Sequence, residues 1–268
     1  MINITFSTCW YSFKAKFNYN IYFNWIDNML SNVNNYYLVV YTDEEGYKYL
    51  QKYISSNIKI IIKPYTDFYN YQYKEYWIKN HEKNILLKNM VDWRVNMLWS
   101  EKIHFVNETK VKKYFDTEFY GWCDIGYFRN RNNDTSTLLL INWPSNNKIE
   151  LFNKNKIYYA LVNNDKAYVN NIFMIVQDKD KYGIPREPIP HNQITVAGGF
   201  FICYKDKLEW WKKNYDTKLR LYFKYDQLVK DDQIIIADCI FSSLQDFHLV
   251  QEEKVEFDNW FLFQRYLQ

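Results

Sequence analysis

The side chains of this 268-residue chain that are best placed for chemistry are a few acids beside glycines. Asp124 stands in Phe119-Tyr120-Gly121-Trp122-Cys123-Asp124-Ile125-Gly126-Tyr127-Phe128-Arg129, which reads as a short apolar strand delivering one carboxylate to its end. Gly126 follows where the backbone can turn sharply or let a ligand approach. Open α/β sheets bind ligands beyond the carboxyl ends of their strands, so Asp124 is a candidate for direct ligand contact; the alternative is an Asp capping its own turn. Ala197-Gly198-Gly199-Phe200-Phe201 places two glycines in an apolar strand, which weakens it. A bulge, a ligand lying against the backbone, or a tight crossing of two backbones would each account for Gly198 and Gly199. In Asp231-Asp232-Gln233 the acids open a helix, where capping competes with catalysis as their role. Asp246 and His248 would share a face in an extended segment, as two metal ligands do, or as an ordinary surface edge does. The polar run Ser7-Thr8-Cys9, expected to be the loop after the first strand, is the remaining feature that could converge on Asp124.

Other chemistries lack sequence support. There is no P-loop, G-x-G-x-x-G, G-x-S-x-G or H-E-x-x-H pattern. His81 and His104 fall in helical stretches as surface or packing residues, and His191 sits in a proline-containing loop.

The elements that must position these residues follow from apolar spacing. Ile2 to Phe6 reads as a first strand. Phe13, Phe17, Ile21, Trp25, Met29 and Val33 recur every four residues as a helical stripe. Tyr36 to Tyr41 is a uniformly apolar second strand, and Thr42-Asp43 caps a short helix with Tyr47, Leu50 and Ile54. Ile58 to Ile62 reads as a third buried strand. A long helix takes in Leu87, Val91, Val95 and Leu98 and runs toward Val106. After the Asp124 strand, Arg129 to Asn155 is expected as a surface excursion. Ile157 to Val162 and Ile194 to Tyr204 are further strands, separated by a loop with Pro185, Pro188 and Pro190. Helices follow over Lys205 to Tyr225 and Gln233 to Leu244. Strand–helix–strand order of this kind predicts an α/β fold, a mostly parallel central sheet with helices on both faces. With no repeat or linker, residues 1–268 read as one domain.

Composition narrows the class. Hydrophobic residues make up 48% and charged residues 24%, which excludes a disordered chain. The abundance of Tyr and Phe, 26 and 19, goes with Asn, Lys and Ile and few Gly and Pro, as an AT-rich gene produces. A net charge of +3 is too small to argue for nucleic acid or an anionic membrane, and neither is expected as a partner. Cys9, Cys123, Cys203 and Cys239 are scattered without a C-x-x-C pair, so a reduced, cytoplasmic protein is expected rather than a zinc ribbon. The start shows no signal core and no run suffices for a membrane span. The sequons at Asn3, Asn107 and Asn133 then read as chance matches.

The chain resembles the HtrL/YibB-like family of glycosyltransferases, which carry a GT-A-like fold. The resemblance runs through Phe6 to Lys16, Leu38 to Asp43, Leu98-Trp99-Ser100-Glu101-Lys102-Ile103-His104-Phe105-Val106 and Trp122 to Arg129. It resumes at Ala197 to Phe201 and Asp231-Asp232-Gln233. It implies a nucleotide-sugar donor carrying UDP or GDP, a glycan or other hydroxyl acceptor, and a divalent metal, Mn2+ or Mg2+, that assists the leaving diphosphate. Residues 1–128 would be the nucleotide-binding half and 129–268 the half for donor sugar and acceptor. Ser7 and Thr8 would hold base and ribose, Lys102 and Arg129 the diphosphate, and the Gly198-Gly199 backbone the sugar. Asp124 would be the first acid of the family's D-x-D motif and Asp232 the base that deprotonates the acceptor. Gly126 replaces the second acid, so Asp246 or His248 would have to complete a metal site. A rival reading is an aromatic-rich protein that binds glycan or single-stranded nucleic acid without turnover, since Tyr65 to Lys79 interleaves rings with lysines as a stacking groove would.

Overall fold

The computed structural model describes residues 2–132, 134, 136–252 and 256–268. The first half runs β1 (Ile4–Trp10), α1 (Tyr19–Leu30), β2 (Tyr37–Thr42), α2 (Glu44–Leu50), β3 (Ile58–Ile62), α3 (Lys74–Lys83), α4 (Trp93–Val111) and β4 (Phe119–Cys123). The second half adds α5 (Asn146–Glu150), β5 (Ile157–Leu161), α6 (Lys166–Gln177), β6 (Phe200–Tyr204), α7 (Leu208–Lys224), α8 (Asp232–Ser242), β7 (Phe247–Gln251) and α9 (Phe263–Tyr266). The strands form one sheet in the order β3-β2-β1-β4-β6-β5-β7. β6 is antiparallel to both neighbours and the other pairings are parallel, so six strands point one way. The expected α/β architecture is therefore present, with a buried cluster on each face. One packs under α3, α4, α7 and α8 around Trp77, Trp122 and Trp211; the other lies under α1 and the C-terminal segment around Phe6, Trp143 and Phe200.

Several boundaries differ from the sequence expectation for identifiable reasons. Ser7-Thr8-Cys9 lies inside β1 and is buried, because the Ser7 hydroxyl bonds Thr109 on α4 at 2.8 Å and the neighbouring Thr5 bonds Thr117 at 2.9 Å. α1 begins only at Tyr19, where Asn18 accepts from the Ile21 amide, so Phe13 and Phe17 belong to the loop before it. α4 begins at Trp93 behind the Asp92 cap, leaving Leu87 and Val91 in turns. β3 is an edge strand in which only Ile58 is buried, rather than a fully buried one. Only Phe200–Tyr204 of the expected 194–204 strand is strand, and α6 fills part of the segment read as loop, capped by Asp165 on the amides of Ala167 and Tyr168. The 129–155 excursion buries Trp143 and Ile149. Thr42-Asp43 behaves as expected, with Asp43 accepting from the Gly46 amide at 2.7 Å.

Asn107 is buried within α4, which disposes of its sequon, and Asn133 lies outside the described residues. All four cysteines are free and buried. Among the described residues no helix is long and apolar enough to cross a membrane.

Candidate functional site

From β1 the chain turns to β2 and β3 on one side, then crosses back so that β4 lies on the other side of β1. This reversal of strand order opens a crevice at the carboxyl ends of β1 and β4, where α/β sheets take ligands. Asp124 is the first residue beyond β4. Its amide donates to the Gly199 carbonyl at 2.9 Å, its carbonyl accepts from the Tyr127 amide at 2.8 Å, and its Oδ1 accepts from Trp122 Nε1 at 2.5 Å. The strand-end acid is thus fixed at backbone and side chain together.

Lys102 comes up from α4 beneath it, 8% exposed. Its ammonium is ringed by three oxygens: Asp124 Oδ1 at 3.2 Å, Asp232 Oδ2 at 3.1 Å and the Gly198 carbonyl at 2.8 Å. Burial works against that charge, but the two carboxylates outweigh it and hold the ammonium above the ordinary lysine range. Asp232, in the first turn of α8, is pushed up to about 6 by burial; Lys102 pulls it down, and Asp231 and Asp124 add to the rise.

The double glycine is explained by these acids. A Cβ on Gly199 would lie 3.0 Å from Asp124 Oδ2, and one on Gly198 would lie 3.0 Å from Asp232 Oδ2. Side chains are absent there because two carboxylates close onto the backbone. Gly126 has a different cause: a Cβ would meet the Trp25 ring at 2.7 Å. The space of a second D-x-D acid is filled by an aromatic side chain.

Two cavities join at Asp124. One, of about 120 Å³, is walled by rings that include Trp10, Tyr22, Trp25 and Trp99. The other, of about 370 Å³, is lined by Asp231, Asp232, Gly198, Gly199, Lys16 and Arg131 among others. Lys102, Asp124 and Arg129 border both. Arg129 is held by its Nε on the Gly126 carbonyl at 3.0 Å and by the Trp25 ring, 4.3 Å from the guanidinium.

No family model and no curated protein matches this chain. Among solved structures it is similar to the galactosyltransferase LgtC in complex with donor and acceptor sugar analogues. That likeness has 10% identity and a TM-score of 0.45, covering 87% of this chain and 69% of the other.

Asp124, Asp232, Lys102, Arg129, Gly198 and Gly199 therefore meet at one crevice. Four expected residues do not. Ser7 and Thr8 are enclosed within β1 and border neither cavity; the chain reaches the crevice from Cys9 onward. Asp246 ends a short turn before β7 and pairs with Lys207 at 2.6 Å, while His248 packs on Tyr158 of β5. β7 is three strands from β4, about 14 Å, and Asp246 lies at the amino end of a strand that runs in the same sense as β4. Asp246 and His248 cannot complete a site with Asp124. Nor do the residues at the crevice make a ready cation cage: among the described residues no group of three or more His, Cys, Asp or Glu could hold a metal. The two carboxylates that converge do so on an ammonium. The donor set does not fit the expected Mn2+ or Mg2+.

Sequence reasoning also missed residues. Asp231, for which capping was one of the two roles expected, stands at the cap position of α8 but makes no bond to the helix amides. It pairs with Lys230 at 2.6 Å, and its Oδ1 is buried with no hydrogen-bond partner, bordering the polar cavity. Lys16 was legible only as one of the two charges in Lys14-Ala15-Lys16-Phe17. In the interleaved Tyr65 to Lys79 segment Phe68 and Trp77 are buried while Tyr69 and Tyr76 are exposed, and Glu101 ties the segment down by accepting from the amides of Tyr69 at 2.7 Å and Asn70 at 2.9 Å.

Proposed function

We propose that the protein is a glycosyltransferase that moves a sugar from a UDP- or GDP-sugar donor to a hydroxyl of a glycan or other acceptor. The observation that carries this reading is the junction of an aromatic cavity and a carboxylate-lined cavity at Asp124. A nucleotide sugar has the same division: a flat base, an anionic linker and a hydroxyl-rich ring. The ring of Tyr22 offers a stacking face for the base, and Arg129, lying over the Trp25 ring, a planar donor set for the diphosphate. Asp124, Asp231 and the Gly198-Gly199 backbone offer acceptors to sugar hydroxyls.

In an inverting reaction the acceptor oxygen attacks the anomeric carbon while the bond from that carbon to the diphosphate oxygen breaks, its electron pair leaving with the diphosphate. Asp232 takes the acceptor proton. A buried carboxyl at about 6 is ionised at neutral pH yet basic enough to accept one. No step passes through a metal ion, because the carboxylates that would hold it are engaged by Lys102. On this reading residues 1–268 act as one GT-A-like unit, with the base held by the first half of the chain. Four free, buried thiols suit the cytoplasm, where nucleotide sugars are made available.

Incubation with UDP- and GDP-sugars should release nucleoside diphosphate. Asp124→Asn should keep a native circular dichroism spectrum while turnover falls by about 10²-fold or more, the scale of an essential electrostatic group. Turnover within about threefold of wild type would reduce Asp124 to a turn residue by the same measure. A folded protein that turns over no nucleotide sugar and binds no nucleoside diphosphate would end the reading.

A further inference from the structure

A diphosphate brings negative charge into a cavity whose acids already engage most of the nearby cations. Asp124 and Asp232 share Lys102, Asp231 pairs with Lys230, and Asp258 pairs with Arg131 at 2.8 Å. The Lys102 ammonium is also bonded to the Gly198 carbonyl, so its surroundings are already filled with oxygens. Two cations on the cavity wall are held differently. Arg129 rests on aromatic faces, 4.3 Å from the Trp25 ring and 4.9 Å from Phe261, and Lys16 lies 4.8 Å from the centre of the Trp99 ring. Among the described residues neither is paired with a carboxylate. A ring face orients a cation without neutralising it, and leaves most of its N–H groups to a ligand.

The other half of the argument is steric. The position where a second metal-binding acid would follow Asp124 is a glycine covered by Trp25, the same ring that carries Arg129. One side chain thus closes the space of an acid and presents a cation instead.

We propose that Lys16 and Arg129 neutralise the donor diphosphate in place of a divalent cation, while Lys102 acts as the fixed counterion of Asp124 and Asp232. This rests on the glycosyl-transfer reading and names its charge balance. When the bond from the anomeric carbon to the diphosphate breaks, the electron pair stays on the diphosphate oxygen, and Lys16 and Arg129 take up the added charge. The acceptor oxygen forms the new bond, and its proton passes to Asp232.

The test is calorimetric titration of uridine diphosphate and guanosine diphosphate into metal-stripped protein in EDTA, repeated with manganese. One of the two should bind in EDTA, and manganese should change its affinity by less than about threefold, under 1 kcal/mol. Lys16→Gln and Arg129→Gln should each weaken binding by about tenfold or more, the scale of a charge-assisted hydrogen bond. Lys16 is exposed, so Lys16→Gln keeps the fold and carries the test even if Arg129→Gln does not fold. Binding that appears only with manganese overturns the inference and leaves the glycosyltransferase reading intact. Binding in EDTA that Lys16→Gln leaves unchanged overturns it as well. Binding of neither diphosphate under either condition removes the functional reading, and the inference with it.

Discussion

Helix α8 carries two buried carboxylates six residues apart, and their surroundings are opposite in kind. Asp238 is fully buried and saturated: it meets Lys179 at 2.7 Å and Lys218 at 3.1 Å, and accepts from the Tyr222 hydroxyl at 2.8 Å and the Ser242 hydroxyl at 2.9 Å. One acid there has two lysines. Asp232 shares one lysine with Asp124 and lies beside Asp231, so acids outnumber the cation that joins them. Asp231 Oδ1 and Asp232 Oδ2 are buried without a hydrogen bond, the second facing Lys102 closely but not in bonding alignment. A polar cluster that only supports the fold satisfies its atoms; one left short beside a cavity keeps acceptors for a ligand.

Asparagine substitution at the two positions should separate these roles, and its effects are the largest expected. Asp232→Asn should lower turnover by about 10²-fold or more, the range of general-base catalysis, with a urea midpoint near that of wild type. Asp238→Asn strands two lysines around a neutral amide and should cost roughly 3–5 kcal/mol of stability, as breaking a buried ion pair does. Turnover per folded molecule should survive in that variant. If Asp232→Asn stays active, or if both variants lose stability equally, the contrast between the clusters fails.

This contrast also marks how far the sequence was readable. The order of strands up to Asp124, with α1, α2 and α4 among them, was legible because parallel strands and amphipathic helices carry strong apolar periods, and Asp43 announces its helix through cap chemistry; α3 was not separated from α4. Lys166–Gln177 was not legible, since its apolar stripe of Ile172, Ile175 and Val176 is short and lies among prolines and polar runs that suggested a loop. Gly198 and Gly199 announced a close approach, but only the fold shows that Asp124 and Asp232 are what approaches. Nothing in the neighbourhood of Lys16 could reveal Trp99, eighty-three positions on, beneath its side chain. Asp246 and His248 looked paired because alternation was assumed, whereas Asp246 ends a turn and never enters the strand.

The pH dependence sharpens the comparison at an intermediate scale. Asp232 must be ionised to accept a proton, so kcat/KM should rise with pH and level off above about 6, where its carboxyl titrates in the free protein. The groups around it are Lys102, which lowers the value, and Asp231 and Asp124, which raise it. Asp231→Asn should therefore move the rising limb to lower pH. Stability carries the opposite sign. A carboxyl held above its unfolded value contributes stability that is complete below the ordinary carboxylate range and is lost as pH rises through about 6. Asp232→Asn should flatten that decline in a series of urea midpoints. A limb that Asp231→Asn leaves in place would assign it to a different group.

The smallest effects should come from the far edge of the sheet. Among the described residues Asp246 has only Lys207 and its neighbour Gln245 as side-chain partners, and His248 is exposed against Tyr158. Asp246→Ala removes a partly exposed ion pair with side chains about a fifth accessible, 19% and 21%, which solvent screening holds to within about 1 kcal/mol. His248→Ala removes one face of a tilted ring contact at 4.9 Å, with an effect of similar size, about 0.5–1.5 kcal/mol at most. Neither side chain is within reach of the crevice, since three strand spacings and the length of β7 separate Asp246 from Asp124. Affinity for a nucleoside diphosphate, its dependence on added manganese, and turnover should all match wild type in both variants. A rise in the manganese needed for activity in either one would require β7 to approach β4, and would overturn the sheet order itself rather than one residue's role.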